Sequence, residues 1–262
     1  MEDLGQSLDH MRQTAPLVHN ITNYVAMNVM ANVMLAAGAS PAMLHAREEV
    51  EEFAALAQAI TINIGTPSPA WAEAMEMAAK TANAYKTPWV FDPVAVGATA
   101  YRRELGPRLL ALSPSVIRGN ASEILALAGV GTAGKGADAT DSVDAAQTAA
   151  RDLARQSGGI VAVTGPVDFV TDGDRTALIA NGHEMMPRIT ALGCSLNGII
   201  GAFLVGQDPF DATVAALAYY GLAGELASQR AEGPASFQTA FIDALYQLDP
   251  ATLTQGARVT VQ

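Results

Sequence analysis

The only cysteine of the chain, Cys194, sits in the turn Ala191-Leu192-Gly193-Cys194, just ahead of the apolar run Leu196 to Val205. That run predicts a helix. A small-residue turn at a helix N-terminus gathers unpaired backbone N–H groups and the positive end of the dipole, which makes an anion site suited to a phosphate. A thiol placed there is either a small buried hydrophobe or a proton acceptor whose thiolate the dipole favours. Some twenty residues upstream, Val163-Thr164-Gly165-Pro166-Val167-Asp168 leads to Asp172-Gly173 and reads as a buried strand, a Gly-Pro turn and a second strand.

Other polar residues fall where short apolar runs end. Asp92 follows Trp89 to Phe91, and Pro93 biases it toward extended backbone. A carboxylate there binds magnesium, holds a base, or makes an Asx turn. Arg118 closes Ser115 to Ile117 with a charge that requires solvent, an anion, or a salt bridge to Asp92 or Glu123. Asn120 and Glu123 have capping-box spacing; the competing role for Glu123 is toward a hydrated magnesium ion, which needs few carboxylates. Asn63 and Gly65 end the run Ile60 to Ile64. Gly129-x4-Gly134-Lys135-Gly136 approximates a phosphate-binding loop, but it follows a helix and Gly136 replaces the required hydroxyl, so it reads as a mobile loop. In His19 to Asn23, Thr22 or Asn23 suits a cap for a helix over Val25 to Ala37, whose Met27, Met30 and Met34 read as core. Gly38 and the turn Ser40 to Met43 place Met43 at the surface of a sheet end; His10, His45 and His183 show no metal spacing.

The elements that must hold these residues alternate. Strands are predicted at Ile60 to Ile64, Trp89 to Phe91, Ser115 to Ile117 and Ile160 to Val163. Between them lie Ala-rich helical stretches, including Glu48 to Ile60, with glutamates in its first turn, and a helix capped by Asp141 or Ser142 and stopped by Gly158-Gly159. Three helices follow: Leu196 to Val205, Asp211 to Arg230 and Ser236 to Gln247. Such alternation implies an α/β fold, a mostly parallel sheet with helices on both faces, and ligands at the carboxyl ends of the strands. No linker interrupts the sequence, so one domain over 1–262 is expected.

Composition narrows the classes. Half the residues are hydrophobic, enough for a substantial core, and a net charge of −11 argues against a general nucleic-acid or anionic-membrane binder. One cysteine excludes an internal disulfide and fits a reducing cytoplasm. No signal pattern opens the sequence and no apolar run approaches the roughly 20 residues of a membrane helix, so a soluble cytoplasmic protein is expected.

Taken in order, Leu17-Val18-His19-Asn20-Ile21-Thr22-Asn23, Gly38-Ala39-Ser40-Pro41-Ala42-Met43, Asn63-Ile64-Gly65-Thr66, Asp92-Pro93-Val94-Ala95-Val96-Gly97, Ile117-Arg118-Gly119-Asn120-Ala121-Ser122-Glu123-Ile124, Val163-Thr164-Gly165, Asp168 and Glu232-Gly233-Pro234 resemble the hydroxyethylthiazole kinase family of the ribokinase-like superfamily. The resemblance runs from Pro16 to about Leu248. It implies a ribokinase-like three-layer sandwich and ATP-dependent phosphorylation of the hydroxyl of 4-methyl-5-(2-hydroxyethyl)thiazole, a salvage step toward thiamine. It also implies a homotrimer with the thiazole bound near a subunit boundary. Carried over by position, Arg118, Thr164 and Asp168 bind ATP. Met43, Asn23, Gly65 and Ala191 line the thiazole site, Asp92 and Glu123 serve Mg2+ and the phosphates, and Cys194 stands where many relatives place an aspartate base.

The resemblance departs at one turn, where the family reads Gly-Thr-Gly-Cys and this chain Ala191-Leu192-Gly193-Cys194. Left-handed backbone at Ala191 costs about 1–2 kcal/mol, and Leu192 lacks a hydroxyl for phosphate. That departure motivates two alternatives: a ribokinase-like kinase for another small heterocyclic alcohol, and a weakly catalytic protein that holds thiazole or nucleotide.

Overall fold

The computed structural model describes residues 3–130 and 139–262. Its nine strands form one sheet: β1 Leu17–Ile21, β2 Ser40–Met43, β3 Ala59–Asn63, β4 Trp89–Asp92, β5 Val116–Asn120, β6 Ile160–Thr164, β7 Asp168–Thr171, β8 Thr176–Ile179 and β9 Val259–Val261. The order is β2-β1-β3-β4-β5-β6-β7-β8-β9. Every pairing from β2 to β6 is parallel and every pairing from β6 to β9 is antiparallel.

Strand residues alternate between two cores. Val18, Ala59, Val90, Val116 and Ala162 face the helices Leu4–Thr14, Met27–Ala37, Leu192–Phe203, Pro209–Ser228 and Pro234–Gln247. Ile60, Ile62, Trp89, Phe91, Ile117 and Val161 face the helices Val50–Leu56, Pro69–Tyr85, Ala100–Leu110, Ala121–Leu127 and Ala139–Ser157. Covered on both sides, β3 and β4 are buried at every residue, as near-continuous apolar parallel strands must be. This is the expected ribokinase-like α/β sandwich.

Several local expectations change. The stretch Glu48 to Ile60 is not one helix: it ends at Leu56, Ala57 is extended with ψ 146°, and Ile60 lies in β3 between His19 and Trp89. Sheet burial satisfies Ile60 as well as a helix face would, so periodicity misassigned it. Ser40 to Met43 is an edge strand rather than a turn; Pro41, unable to donate, is tolerated at an edge. His19 to Asn23 is mostly β1, and the following helix begins at Met27, not Val25. The last-third helices extend further toward the N-terminus than expected, starting at Leu192, Pro209 and Pro234. The helix expected to be capped by Asp141 or Ser142 already runs from Ala139. The glycine-lysine motif at Gly134 to Gly136 lies outside the described residues.

Candidate active site

The carboxyl ends of β1, β3, β4, β5 and β6 converge on the N-terminus of the helix Leu192–Phe203. Asp92, the last residue of β4, is buried, and its Oδ2 accepts from Asn63 Nδ2 and Asn197 Nδ2, each at 2.6 Å. Arg118 from β5 approaches the same oxygen at 3.7 Å. The opposite oxygen, Oδ1, is buried with no hydrogen-bond partner. Burial drives the Asp92 carboxyl up to about 6, with Arg118 pulling it down and Glu123 adding to the rise.

A chain of amides extends from Asp92 toward the thiol. Asn63 Oδ1 accepts from Asn23 Nδ2 at 2.9 Å and from the Gly65 N–H at 2.8 Å. Asn23 Nδ2 also approaches Cys194 Sγ at 3.3 Å, while Asn197 Nδ2 donates to the Cys194 carbonyl at 3.0 Å. Gly65 is required by close approach, since a Cβ there would lie 2.6 Å from Asn23 Nδ2. Asn23, Gly65, Asp92 and Cys194 are thus brought together. Met43 ends β2 in register with Asn20, half-buried against the core that includes the Leu192–Phe203 helix.

Arg118, the partner of Asp92, also lines a cavity of about 750 Å³, together with Thr164, Asp168, Gly193, Leu196 and Tyr220 among others. Arg118 donates to Thr164 Oγ1 at 2.7 Å, leaving its Nε buried without a partner. Gly193 packs closely here: a Cβ on it would meet both terminal nitrogens of Arg118 at 3.3 Å. Asp168 accepts the Gly165 N–H at 2.9 Å; burial raises its carboxyl to about 6 against the pull of that bond and of Arg118.

Four expectations meet the structure here. The helix begins at Leu192, so Gly193 and Cys194 form its first turn instead of preceding it, and the Ala191 carbonyl accepts from the Ser195 N–H at 2.8 Å. Ala191 does adopt the costly left-handed backbone, at φ 65° and ψ 2°. The thiol is not activated: burial first, then the Asp92 charge, pushes Cys194 above its ordinary value. For Glu123 the capping box is formed, with Oε2 on the Asn120 N–H at 2.9 Å, while Oε1 accepts the Ala95 N–H at 3.0 Å.

Sequence reasoning passed over two residues. Asn197 holds Asp92 from within an apolar helix, where a lone buried amide was the available signal. Arg102 binds the carbonyls of Ile64, of Val94 at 2.7 Å and of Gly65 at 2.7 Å, locking together the turns that follow β3 and β4. Its signal was a cation in the first turn of the helix Ala100–Leu110, where the dipole disfavours positive charge.

This sheet, with its buried Asp–Arg pair between an amide-lined side and a large cavity, defines a ribokinase-like small-molecule kinase. A sequence model of the Hydroxyethylthiazole kinase family matches residues 8–251, and the chain belongs to that family. It is similar to a hydroxyethylthiazole kinase of Cereibacter sphaeroides (strain KD131 / KCTC 12085), 66% identical over 259 residues, with 99% of each chain covered. Among solved structures it is similar to the hydroxyethylthiazole kinase protein from Pyrococcus horikoshii OT3, with a TM-score of 0.92, 40% identity and 100% of each chain covered. The pyridoxal kinase from Staphylococcus aureus shares the fold alone, with a TM-score of 0.67, 15% identity and coverage of 94% of this chain and 98% of that one.

Proposed function

We propose that this chain transfers the γ-phosphoryl group of ATP to the hydroxyl of 4-methyl-5-(2-hydroxyethyl)thiazole, in thiamine biosynthesis or salvage. The observation that carries the reading is the Asp92–Arg118 pair, 3.7 Å apart, standing between the amide-lined side and the cavity beside the N-terminus of the Leu192–Phe203 helix. The thiazole occupies the side of Asn23, Met43, Gly65 and Ala191. ATP occupies the cavity, with Arg118 and Thr164 on its phosphates and Asp168 nearby.

Phosphoryl transfer passes through a loose transition state, so positioning and charge stabilisation do most of the work. The free N–H groups at the start of the Leu192–Phe203 helix and the Arg118 guanidinium face the charge that develops on the transferred group. The alcohol oxygen bonds to the γ-phosphorus as the bond to the β-phosphate oxygen breaks, and ADP leaves with that electron pair. The alcohol proton passes to Cys194 in its thiolate form, a minor species at neutral pH because burial holds the thiol protonated. Late proton transfer in a loose transition state makes such a base sufficient.

The residues present suit a magnesium ion: Asp92 keeps a buried oxygen without a partner, and Glu123 presents a second carboxylate close enough to raise the first. Asp92 and Glu123 would hold the ion, largely through water, and it would neutralise phosphate charge. No helix among the described residues is long and apolar enough to cross a membrane. A homotrimer and a cytoplasmic location complete the proposal. The trimer reading draws support from exposed Tyr24 and Val25 beside Asn23, with the Tyr24 ring 4.7 Å from that of Trp71.

The test is ADP release from ATP and magnesium with and without the thiazole alcohol, with the product identified by mass. Thiazole-dependent ADP and the matching phosphate ester support the reading; folded protein without turnover overturns it. The left-handed Ala191 favours one second reading, a kinase retuned to another small heterocyclic alcohol, which a panel of alcohols under ATP separates from the first.

A further inference from the structure

Arg118 and the segment Asn181 to Pro187, which follows β8 and runs into a short 3-10 turn, line the same cavity. Loops that line a cavity are ordinarily its most deformable part, because few backbone groups on them are paired. Here the loop is held from behind by the end of the chain. Asn181 is buried, and both ends of its amide engage the C-terminal segment: Nδ2 donates to the Gly256 carbonyl at 3.0 Å, and Oδ1 accepts the Arg258 N–H at 2.7 Å.

Glu225, from the helix Pro209–Ser228, completes the anchor. Its Oε1 accepts from Asn181 Nδ2 at 3.1 Å, from the Gly182 N–H at 2.8 Å and from Arg258 Nη2 at 2.6 Å. Oε2 accepts from Arg258 Nη1 at 2.9 Å, so the guanidinium meets the carboxylate as a two-pronged fork. Arg258 Nη2 also donates to the Ala180 carbonyl at 2.6 Å, and the Ala180 N–H donates to the Arg258 carbonyl at 2.9 Å. One arginine therefore ties the last strand, a core helix, Ala180 and Asn181, the residue that opens the cavity wall. β9 alone, three residues long at the antiparallel edge of the sheet, would be a weak fastening.

We propose that residues 256–262 act as a strap that positions the Asn181–Glu184 wall of the nucleotide cavity, with Arg258 and Glu225 as positioning residues for ATP. The proposal rests on the reading that ATP fills this cavity. Neither residue is among those that line the cavity, so the strap acts on nucleotide affinity through the wall, separately from the Asp92–Arg118–Cys194 chemistry.

Full-length Arg258→Met, Arg258→Lys and Glu225→Gln are compared with the unaltered chain in steady-state kinetics for both substrates and in ADP titration by calorimetry without thiazole. Arg258→Met and Glu225→Gln are expected to raise KM for ATP and Kd for ADP about 5-fold, with kcat and KM for the alcohol within about 2-fold. Arg258→Lys restores part of the affinity, and the double variant loses no more than the worse single one, since both remove one pair. Equal increases in both KM values, or a lowered melting temperature with unchanged ADP affinity, overturn the proposal and leave the pair a purely structural one. An unaltered chain that binds no ADP overturns the cavity reading together with it. An unaltered chain that binds ADP no better than its variants overturns the strap alone.

Discussion

The two sides of the Asp92–Arg118 pair are built on opposite principles. On the proposed alcohol side, Asn23 bonds to Asn63 and approaches Cys194, and Asn63 and Asn197 both bond to Asp92, so most of the polar groups are held within the protein, with Asp92 Oδ1 and Asn197 Oδ1 left without a partner. On the proposed nucleotide side, the cavity is large and mostly apolar, with Arg118, Thr164 and Asp168 among its polar residues and a wall fastened from outside. The first arrangement gives rigid placement of a small acceptor. The second gives room for a larger molecule that supplies its own charge. Parallel strands make the first possible, because their carboxyl ends lie side by side, whereas at the second the turn from β6 into β7 and the segment after β8 bring Asp168 and Asn181 into the cavity lining.

Asp92→Asn should break the contrast most deeply, because Asp92 bonds to the amides and pairs with Arg118, which lines the cavity. We expect kcat to fall about 10³-fold or more while the protein becomes more stable at neutral pH. Folded Asp92 titrates near 6 against an ordinary 3.8, so the folded state holds a proton that the unfolded state releases between those values. Stability therefore falls as pH rises through that window, and removing the charge returns up to about 3 kcal/mol above it. Melting curves at pH 7.5 and pH 4 check this: the gain should be present at about pH 7.5 and gone at about pH 4. An unchanged melting temperature at the higher pH would mean that Asn63, Asn197 and Arg118 fully compensate for burial.

Arg118→Met follows, with an expected loss of about 10²-fold in kcat/KM, weighted toward ATP. It also removes the charge that restrains Asp92 and Asp168, so the acidic limb of the rate profile should move to higher pH. A limb that stays in place would separate Arg118 from both carboxylates. Cys194→Ser should cost less, about 10-fold, and should abolish the rise in rate toward alkaline pH that the elevated thiol predicts. Cys194→Asp should restore activity at lower pH, and an unchanged rate in Cys194→Ala would remove the thiol from proton transfer. Ala191→Gly is the mildest change. Relief of left-handed strain, offset by glycine's freedom when unfolded, leaves a net stabilisation below about 1 kcal/mol, readable as a small rise in melting temperature.

Legibility in the sequence divides along the same line. Ile60 to Ile64, Trp89 to Phe91 and Ile160 to Val163 were readable as strands, each ending within one residue of β3, β4 and β6, because buried parallel strands are short apolar runs bounded by turn residues. The capping box at Asn120 and Glu123 was readable because its partners are three residues apart. β1 and β2 were not, since His19, Asn20 and Pro41 interrupt any apolar pattern and are accommodated by sheet neighbours distant in sequence. Arg102 escaped notice for a similar reason: its acceptors are backbone carbonyls, which every sequence has everywhere.

What this sequence determined by itself was most of the central strands and helices, their alternation, and which polar residues end those strands, because those depend on interactions within a few residues. The tertiary structure decided what each polar residue is worth. Asn197 and Asp92 are more than a hundred positions apart, yet one bond between them anchors the buried carboxylate. The sequence shows the helix start beside Cys194 but not its burial or the neighbouring Asp92 charge, which together raise the thiol and keep it protonated. Desolvation and long-range pairing are properties of the packed interior, and only the folded chain sets them.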